Sequence, residues 1–387
     1  MAVSGVVPEL QASCGQVTVL SAGKLPWTPA VVHLSPTYFA SESIVGGGER
    51  YAEELSRAMS ERVPVRFVSF GRREQRDRVS ERYERVILRS WTEDKMTPFS
   101  PSLWKELRGA RVIHCHQLNT LPTFLAAVFA KAADSAVFVS DLGGGGWTPG
   151  YQFNIGRLIR GHLPISRYAS QFVPDGHVNA GVIYGGVDLK KYSGRSELSN
   201  DGTVVFLGRI LPHKGVHHLI DGLPAECALQ VIGPVGNADY LAQLRFIGRG
   251  KKVEYLHGLS DADVIGRLER AAVLVHPTPI GQDGKAGVSE LLGLAVLEAM
   301  ASNCPVIVTN AASLPELVVD GISGLIVRPN DPDSIRDAVV RVTTDTELWT
   351  TLAVGGRKRV AEEFAWSKVV ERCMRAYGIA PRISECH

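Results

Sequence analysis

The sequence lacks several features that would place the chain in a class of proteins at once. Within its 387 residues no apolar run approaches the roughly 18 residues that span a bilayer, so any membrane contact would be peripheral. The six cysteines form no CxxC pair and no zinc-finger spacing, which predicts reduced thiols, no structural metal and a cytoplasmic location. No basic segment followed by an apolar stretch marks a secretory signal near Met1.

An excess of charge of one sign is absent as well. The 42 basic and 40 acidic residues leave a net charge of +2, which argues against a nucleic-acid-binding protein. Hydrophobic residues make up 45% of the chain and charged residues 21%, which is typical of a globular protein and not of a disordered one. At roughly 100–200 residues per domain, the length predicts two domains.

Short apolar runs alternate with helical patterns in the first half of the chain. Among the early segments, Val17–Leu20 could form a strand, and we interpret the arginine-rich stretch Gly71–Arg89 as a solvated loop or helix face. The remaining pattern predicts strands at Val31–Leu34, Val65–Phe70, Arg111–His114, Ala136–Val139 and Val182–Tyr184, and helices at Tyr51–Met59 and Leu121–Ala133. Such alternation favours a parallel sheet covered on both faces.

The polar segment Lys190–Gly202 resembles a linker, and the same alternation restarts after it. Strands are predicted at Thr203–Leu207, Leu229–Ile232, Val253–Tyr255, Val273–Val275 and Pro305–Val308, with helices at Asp261–Arg270 and Leu294–Ala301. We therefore predict an α/β protein with two Rossmann-like domains facing a central cleft, divided at Tyr192/Ser193. Ligands of such sheets bind outside the carboxyl ends of the strands.

The segment SELLGLAVLEAMA carries the strongest chemical signal. Glu290 and Glu298 stand eight positions apart across a loop-to-helix junction, with a glycine between them. A helix that starts near Leu294 would point the free amides of Leu292, Gly293 and Leu294 at an anion, and Glu298 could accept hydrogen bonds from sugar hydroxyls. The alternative is an ordinary helix with a solvated glutamate at each end.

A second signal follows the predicted strand Thr203–Leu207. Gly208, Arg209 and Lys214 lie in the loop where the strand ends, and a guanidinium with an ammonium suits a diphosphate. Taken alone, these residues could equally be ordinary surface groups. The glycines at Gly46 and Gly47 open the first helix without the GxGxxG order of a dinucleotide site, and no Walker loop occurs.

In combination, these segments resemble the retaining glycosyltransferases of family 4, which have the GT-B fold. GGGER, VIHCHQ, VIYGGVD, FLGRILPHKG and SELLGLAVLEAMA follow one another in the family's order, from about His33 to about Trp366. The resemblance implies a metal-independent hexosyltransferase that uses a nucleotide-diphosphate sugar, which we expect to be a UDP-sugar. The first domain would bind the acceptor and the second the donor, while the segment from Trp366 would return to complete the first domain.

The resemblance also implies roles for single residues. Arg209 and Lys214 would hold the diphosphate, Glu298 the ribose and Glu290 the hydroxyls of the donor sugar. Leu292, Gly293 and Leu294 would present amides to sugar and phosphate beside Gly208, and Gly46 and Gly47 would bring first-domain backbone to the diphosphate. No protein nucleophile is required, because the leaving phosphate helps to deprotonate an acceptor that attacks from the same face.

The sequence departs from the family where many relatives carry a histidine that lines the donor sugar. Ser140 or Asp141 stands at that place, and His116 is another candidate for the sugar or acceptor side.

Asp261 and Asp263 form a DxD string, but they open a helix, and we expect them to cap it and not to bind a metal.

Two other functions remain open. One is a disaccharide synthase or phosphorylase, with Arg50 as an extra cation for a phosphate. The other is a nucleotide-sugar-binding protein without catalysis. Small metabolites, aglycones and lipid-linked glycans all fit the sequence as acceptors.

Overall fold

The computed structural model describes residues 27–38, 47–94, 96–143, 155–195, 200–281 and 290–379. Within these ranges the chain forms two separate sheets with helices packed on them. The first sheet has the spatial order β3-β4-β2-β1-β5-β6-β7 and is built from β1 (Val31–Tyr38), β2 (Val65–Gly71), β3 (Gln75–Ser80), β4 (Tyr83–Arg89), β5 (Val112–Cys115), β6 (Ala136–Val139) and β7 (Gly161–His162).

This first sheet is parallel except at one edge. β1 lies between β2 and β5, with Val31 opposite both Val65 and Val112. Every residue of β2 is buried, as expected for a parallel strand covered on both faces. Among the described strands of this sheet, only β3 runs antiparallel, against β4. The helices of this part are α1 (Gly47–Ser60), α2 (Leu103–Leu107), α3 (Leu121–Ala133) and α4 (Arg167–Ser170).

The second sheet is entirely parallel in the described residues, with the order β10-β9-β8-β11-β12-β13. Its strands are β8 (Thr203–Leu207), β9 (Ala228–Ile232), β10 (Lys252–Leu256), β11 (Val273–His276), β12 (Val306–Thr309) and β13 (Leu325–Val327). The helices that follow are α5 (Val216–Gly222), α6 (Ala238–Ile247), α7 (Asp261–Arg270), α8 (Leu294–Ala301), α9 (Leu314–Leu317), α10 (Pro332–Thr344), α11 (Thr346–Arg359) and α12 (Trp366–Tyr377).

The two parallel sheets confirm the predicted α/β class. The helices α3, α7 and α8 begin and end at the predicted residues, and the strand β8 does so too. Local chemistry explains this agreement. Ser260 and Asp263 form a reciprocal capping box at the start of α7, and Thr120 accepts a hydrogen bond from the amide of Thr123 at the start of α3.

The interpretation of Gly71–Arg89 as a solvated loop or helix face is wrong in its secondary structure, because the segment forms β3 and β4; β3 is mostly exposed, whereas β4 is mostly buried. Tyr83, Val86 and Leu88 are buried in the sheet, so apolar residues of β4 add to the core. The charges pair within the protein: Arg76 contacts Glu84 at 3.1 Å and Glu106 at 2.5 Å. The number of charges in this segment therefore did not indicate that β4 is a buried strand.

The predicted strand Val182–Tyr184 is also wrong. The segment is extended but forms no ladder, and Tyr184 has a φ of +61°, which ends any regular strand there. The amide of Ile183 donates to the carbonyl of Pro164 at 2.9 Å. The other early strand prediction, Val17–Leu20, lies outside the described residues.

The helix α12 packs against α1 and reaches the first sheet. The Trp366 indole donates to Glu54 at 3.2 Å, and the Tyr377 hydroxyl lies 2.7 Å from Nδ1 of His114. The domain boundaries at 192/193 and 365/366 stay a prediction. None of the helices in the described ranges has both the length and the apolar character that a membrane crossing needs.

Three histidines meet in the core beneath the first sheet's carboxyl edge, and we name His33, His114 and His116 the histidine cluster. All three are almost fully buried, and Nδ1 of His33 lies 2.9 Å from Nε2 of His116. Nε2 of His114 lies 2.8 Å from the hydroxyl of Ser140, which donates in turn to the carbonyl of Leu163 at 2.7 Å.

Burial keeps these imidazoles neutral in the folded protein. Desolvation lowers the pKa of His116 to about 3, and it lowers the pKa values of His33 and His114 well below the ordinary value. In the unfolded chain the same rings titrate near pH 6.5. Between the two values, the unfolded state binds more protons than the folded one.

We expect the free energy of unfolding to decrease as the pH falls below about 6.5, by about 1.4 kcal/mol per pH unit for each buried ring. Urea unfolding at pH 7.5, 6.5 and 5.5 measures this slope. His116→Gln keeps a hydrogen-bonding group beside His33 but removes one titrating ring, so its slope should be shallower than that of the wild type. Equal slopes for the two proteins would contradict the prediction.

Candidate functional site

A cleft of about 1460 Å³ lies between the two sheets. From the second sheet it is lined by residues that follow the carboxyl ends of β8, β9 and β11, as expected for ligand sites of parallel sheets. The first part of the chain contributes Leu142 and Gly143, which follow β6, and residues of α1.

The amino end of α8 opens into this cleft. The helix starts at Leu294, and its preceding residue Gly293 has a φ of +85° and provides no side-chain cap. Leu292, Gly293 and Leu294 all line the cleft, so the first amides of α8 and the positive end of its dipole face the space where a ligand would lie. The helix therefore begins at the predicted residue with its first residues at the cleft, and anion binding there stays a prediction.

Glycine is required at Gly293 for a second reason besides its φ. A Cβ at this position would lie 2.9 Å from Leu314 Cδ2 and 3.2 Å from Leu317 Cδ1, both on α9. The helix α9 thus packs directly under the turn that leads into α8. We name residues Glu290–Gly293 the donor loop.

Glu290 in the donor loop is buried and forms two polar contacts. The Lys214 ammonium lies 2.5 Å from its Oε2, and Nε2 of His276 lies 3.2 Å from the same oxygen. Burial alone would raise the pKa of Glu290, but these two neighbours hold it well below its ordinary value. The carboxylate therefore stays ionised through the physiological pH range.

The orientation of His276 is fixed from its other side. The Thr278 hydroxyl lies 3.1 Å from Nδ1, and it satisfies that nitrogen when it donates. The Nε2–H is then free to donate to Glu290. This histidine, at the end of β11, was not predicted as a site residue. Its signal was present, because it ends a buried strand at the sheet edge that also carries Lys214.

Arg209 lies on the same lining and differs from Lys214 in its surroundings. It is exposed, and none of the ion pairs found among the described residues involves it. Gly208 before it has a φ of +154°. Gly233, in the neighbouring turn, lies so close to the Gly208 carbonyl that a Cβ on Gly233 would clash with that oxygen. The backbone there is tightly packed, while the guanidinium remains available to a ligand.

Glu298, on the first turns of α8, meets residues from the other half of the chain. Nη1 of Arg50 on α1 lies 3.7 Å from its Oε1, and the Tyr192 hydroxyl hydrogen-bonds to it. Burial raises the pKa of Glu298 above its ordinary value despite the opposing charge of Arg50. Tyr192 was not anticipated from the sequence, since nothing local marks a tyrosine in a polar linker.

Arg50 is surrounded by carboxylates. It contacts Glu54 at 2.9 Å and Asp261 at 3.2 Å in addition to Glu298. Asp261 is also paired with Lys191 at 2.5 Å, and Asp263 is used in the cap of α7. Of the two aspartates of the DxD string, Asp263 thus has the predicted capping function, whereas Asp261 is used in ion pairs with Arg50 and Lys191.

Three further candidates of the first part, His116, Ser140 and Asp141, are not among the described residues that line the cleft. His116 and Ser140 lie in the hydrogen-bonded core around the histidine cluster. Asp141 accepts a hydrogen bond from the amide of Gly143 at 3.0 Å and so shapes the turn that does reach the cleft. Gly47 is the first residue of α1, while Gly46 lies outside the described residues.

The histidine cluster is also where ligand atoms for a metal ion come together. Three imidazoles place one nitrogen each within 4.8 Å of the others. Their hydrogen bonds to one another, to Ser140 and to Tyr377 form a consistent set with neutral rings, and among the described residues only Nδ1 of His116 in this cluster has no partner. We therefore assign the cluster to the packing of the core.

Both parts of the chain are similar to known glycosyltransferases. Residues 190–359 match the family model described as glycosyl transferases group 1, and residues 45–140 match that of glycosyltransferase family 4. An uncharacterised glycosyltransferase of Methanocaldococcus jannaschii is 30% identical over 46% of this chain and 45% of its own length. Across several curated relatives, the match spans about half of the relative's length.

A longer match is a GDP-mannose-dependent monoacylated alpha-(1-6)-phosphatidylinositol monomannoside mannosyltransferase of Corynebacterium glutamicum, which is 24% identical over 87% of this chain and 96% of its own. Among solved structures, Anabaena HepE in complex with UDP and glucose has a TM-score of 0.68 at 17% identity, covering 90% of this chain and 99% of that one. The chain therefore belongs to the family 4 type of group 1 glycosyltransferases and has the GT-B fold.

Proposed function

We propose that the protein is a retaining, metal-independent glycosyltransferase that moves a hexosyl group from a nucleotide-diphosphate sugar to an acceptor hydroxyl. The observation that carries this proposal is the convergence of Arg209, Lys214, the amino end of α8 and Glu298 on one cleft. That set matches the parts of a nucleotide sugar, with cations and amides for the diphosphate and a carboxylate for the ribose.

Breaking the anomeric C–O bond places negative charge on the leaving diphosphate. Arg209 and the free amides of α8 stabilise that charge more than they stabilise the intact donor, which lowers the barrier. Lys214 contributes with part of its charge already offset by Glu290. Arg209 is therefore the cation on which the transition state depends most.

Glu290 suits a role as ligand of the sugar hydroxyls. It is ionised, and Lys214 and His276 hold one of its oxygens in place. Such a fixed carboxylate can orient the donor sugar by accepting hydrogen bonds from it. Retention then results from attack of the acceptor on the face that the diphosphate leaves, with the phosphate taking the acceptor proton.

Metal independence is proposed from the way the acids of the cleft are used. Asp261 pairs with Lys191 and Arg50, and Asp263 caps α7, so neither carboxylate of the DxD string is free to bind a cation. Arginine, lysine and helix amides supply the positive charge that a divalent ion supplies in other transferases.

Two nucleotides are supported as the carrier of the donor sugar. A UDP-sugar is our proposal, and the structural neighbour HepE was solved with UDP. GDP-mannose is the competitor, because the matched corynebacterial relative is named as dependent on it. Arg50 is paired with carboxylates, so it is a weak candidate to bind the phosphate of an acceptor. We therefore favour a transferase that acts on a neutral hydroxyl over a synthase or phosphorylase.

A screen of nucleoside diphosphates and their sugars by thermal shift tests the proposed function. The preferred nucleotide should raise the melting temperature most, since stabilisation grows with the logarithm of concentration over affinity. The best donor is then assayed for nucleotide release with and without EDTA, and the product anomer is assigned by NMR. Binding without release from any donor would indicate a non-catalytic protein, and loss of activity in EDTA would refute metal independence.

Arg209→Ala should lower kcat by about 10²-fold to 10³-fold, because it removes a cation aimed at the leaving group. Steady-state kinetics with the preferred donor provide the measurement. Arg249→Ala, which removes an arginine stacked on Phe246 outside the cleft, is the matched control and should retain wild-type kcat. An Arg209→Ala enzyme with unchanged kcat would remove this residue from the mechanism.

Glu298→Gln should weaken nucleoside diphosphate binding by about 10-fold to 100-fold, since hydrogen bonds to a charged acceptor contribute about 1.5–3 kcal/mol. Calorimetry with the diphosphate and its 2′-deoxy analogue measures the effect. The wild type should prefer the ribose form, and the variant should lose most of that preference. Glu371→Gln on α12 is the control, and an intact ribose preference in Glu298→Gln would contradict the assignment.

A further inference from the structure

A carboxylate in the half of the chain that contains the second sheet accepts hydrogen bonds from backbone amides in the half that contains the first sheet. Glu316 lies on α9, which follows β12, and its two oxygens accept hydrogen bonds from the amides of Arg167 at 2.8 Å and Tyr168 at 2.6 Å. Those amides open α4, which follows β7 of the first sheet. One side chain thus binds the two halves of the chain together through main-chain donors.

The same carboxylate reaches the segment that connects the two halves. The Tyr184 side chain hydrogen-bonds to Glu316, and the Tyr184 carbonyl accepts from the Tyr51 hydroxyl at 2.8 Å. Tyr184 has a positive φ, and a Cβ on Gly185 or Gly186 after it would clash with Leu292 or Trp366. The connection is therefore closely packed on both sides where Glu316 holds it.

The helix α9 also joins Glu316 to the donor loop. The Ser313 hydroxyl, directly before α9, donates to the carbonyl of Glu290 at 3.0 Å. At its other end, Arg359 donates to the carbonyls of Glu316 and Leu317 at 2.8 and 2.7 Å. With Leu314 and Leu317 packed beneath Gly293, the position of α9 and the position of the donor loop are linked.

We propose that Glu316 is a positioning residue that sets the separation between the first sheet and the donor loop. This inference rests on the proposed function, because the first sheet is where the acceptor would bind. Transfer requires the reacting atoms to lie about 3–3.5 Å apart, and a displacement near 1 Å can cost about 10²-fold in rate. A carboxylate that accepts hydrogen bonds from two amides of the opposite half constrains both the distance and the orientation of the halves at this point.

Arg167 offers a matched pair of variants that separates its amide from its side chain. Arg167→Pro removes the N–H that Glu316 accepts, whereas Arg167→Ala keeps it. Proline is tolerated at the first position of a helix, and the preceding Ser166 is extended, with φ −162° and ψ 165°, outside the α region that is disfavoured before proline. The two variants therefore differ mainly in one hydrogen bond between the halves.

We expect Arg167→Pro and Glu316→Ala to lower kcat by about 10-fold to 100-fold with less than about 3-fold change in donor KM. Arg167→Ala should stay within about 2-fold of the wild type, and Glu316→Gln, which keeps one acceptor oxygen, should recover part of the loss. Glu362→Ala, at an exposed carboxylate, is the control for Glu316→Ala. A merely structural role would instead lower the melting temperature and leave kcat per folded molecule unchanged.

Small-angle X-ray scattering of the intact protein gives a second measurement that needs no activity. Glu316→Ala should broaden the distance distribution relative to the wild type and to Glu362→Ala. If the wild type transfers no sugar, the proposed function fails and scattering alone decides on Glu316. If Arg167→Pro does not fold, Glu316→Ala against Glu362→Ala makes the same comparison. Wild-type scattering together with wild-type kcat in Glu316→Ala would overturn the inference.

Discussion

The buried carboxylate of Glu290 is the group on which the arrangement of the second half's cleft depends. A charge removed from water costs several kcal/mol unless fixed partners surround it, and here the partners come from two different strand ends. Lys214 follows β8, and His276 closes β11. Ser313 before α9 holds the Glu290 backbone. The cost of burying this acid is thus offset by two separate strand ends, and a third element holds its backbone in place.

The second carboxylate of the same segment has the opposite electrostatic character. Eight residues after Glu290, Glu298 has a raised pKa, because burial outweighs the one guanidinium that lies 3.7 Å away. Glu290 is held ionised by cationic contact, whereas Glu298 is contacted by the Arg50 guanidinium and the Tyr192 hydroxyl. Pairs of acids whose environments push their pKa values apart commonly have different functions, and this difference agrees with separate roles at sugar and ribose.

Much of this site could be predicted because its signals are local. A glycine before an apolar helix, a lysine and an arginine after a strand, and a serine cap at Ser260 each specify structure within a few residues. The contacts that were missed join distant parts of the chain: Arg50 with Glu298, and Glu316 with the amides of Arg167 and Tyr168. Nothing in a single segment shows from which backbone amides a glutamate far along the chain will accept hydrogen bonds.

The strand errors have the same origin. In Gly71–Arg89 the arginines suggested a solvated surface, yet Arg66 and Arg76 neutralise Glu84 and Glu106 across neighbouring elements. Ion pairs between residues that are distant in the sequence cannot be recognised from the sequence alone. The positive φ of Tyr184 is likewise maintained by Tyr51 and by packing from both halves, so local propensity could not reveal it.

These long-range contacts have a consequence for how the two halves respond to a donor. The donor loop rests on α9, and α9 holds α4 of the first half. Glu298 contacts Arg50, which belongs to α1 of that half. A ligand that displaces Arg50 from Glu298 releases one link between the halves while the link through Glu316 remains. Other contacts between the halves do not involve Glu298, among them the hydrogen bonds of Glu316 and the close approach of Gly185 to Leu292. Since a ligand shifts a conformational equilibrium only through its unequal affinity for the two states, a donor alters the arrangement of the halves only through the contacts that it exchanges.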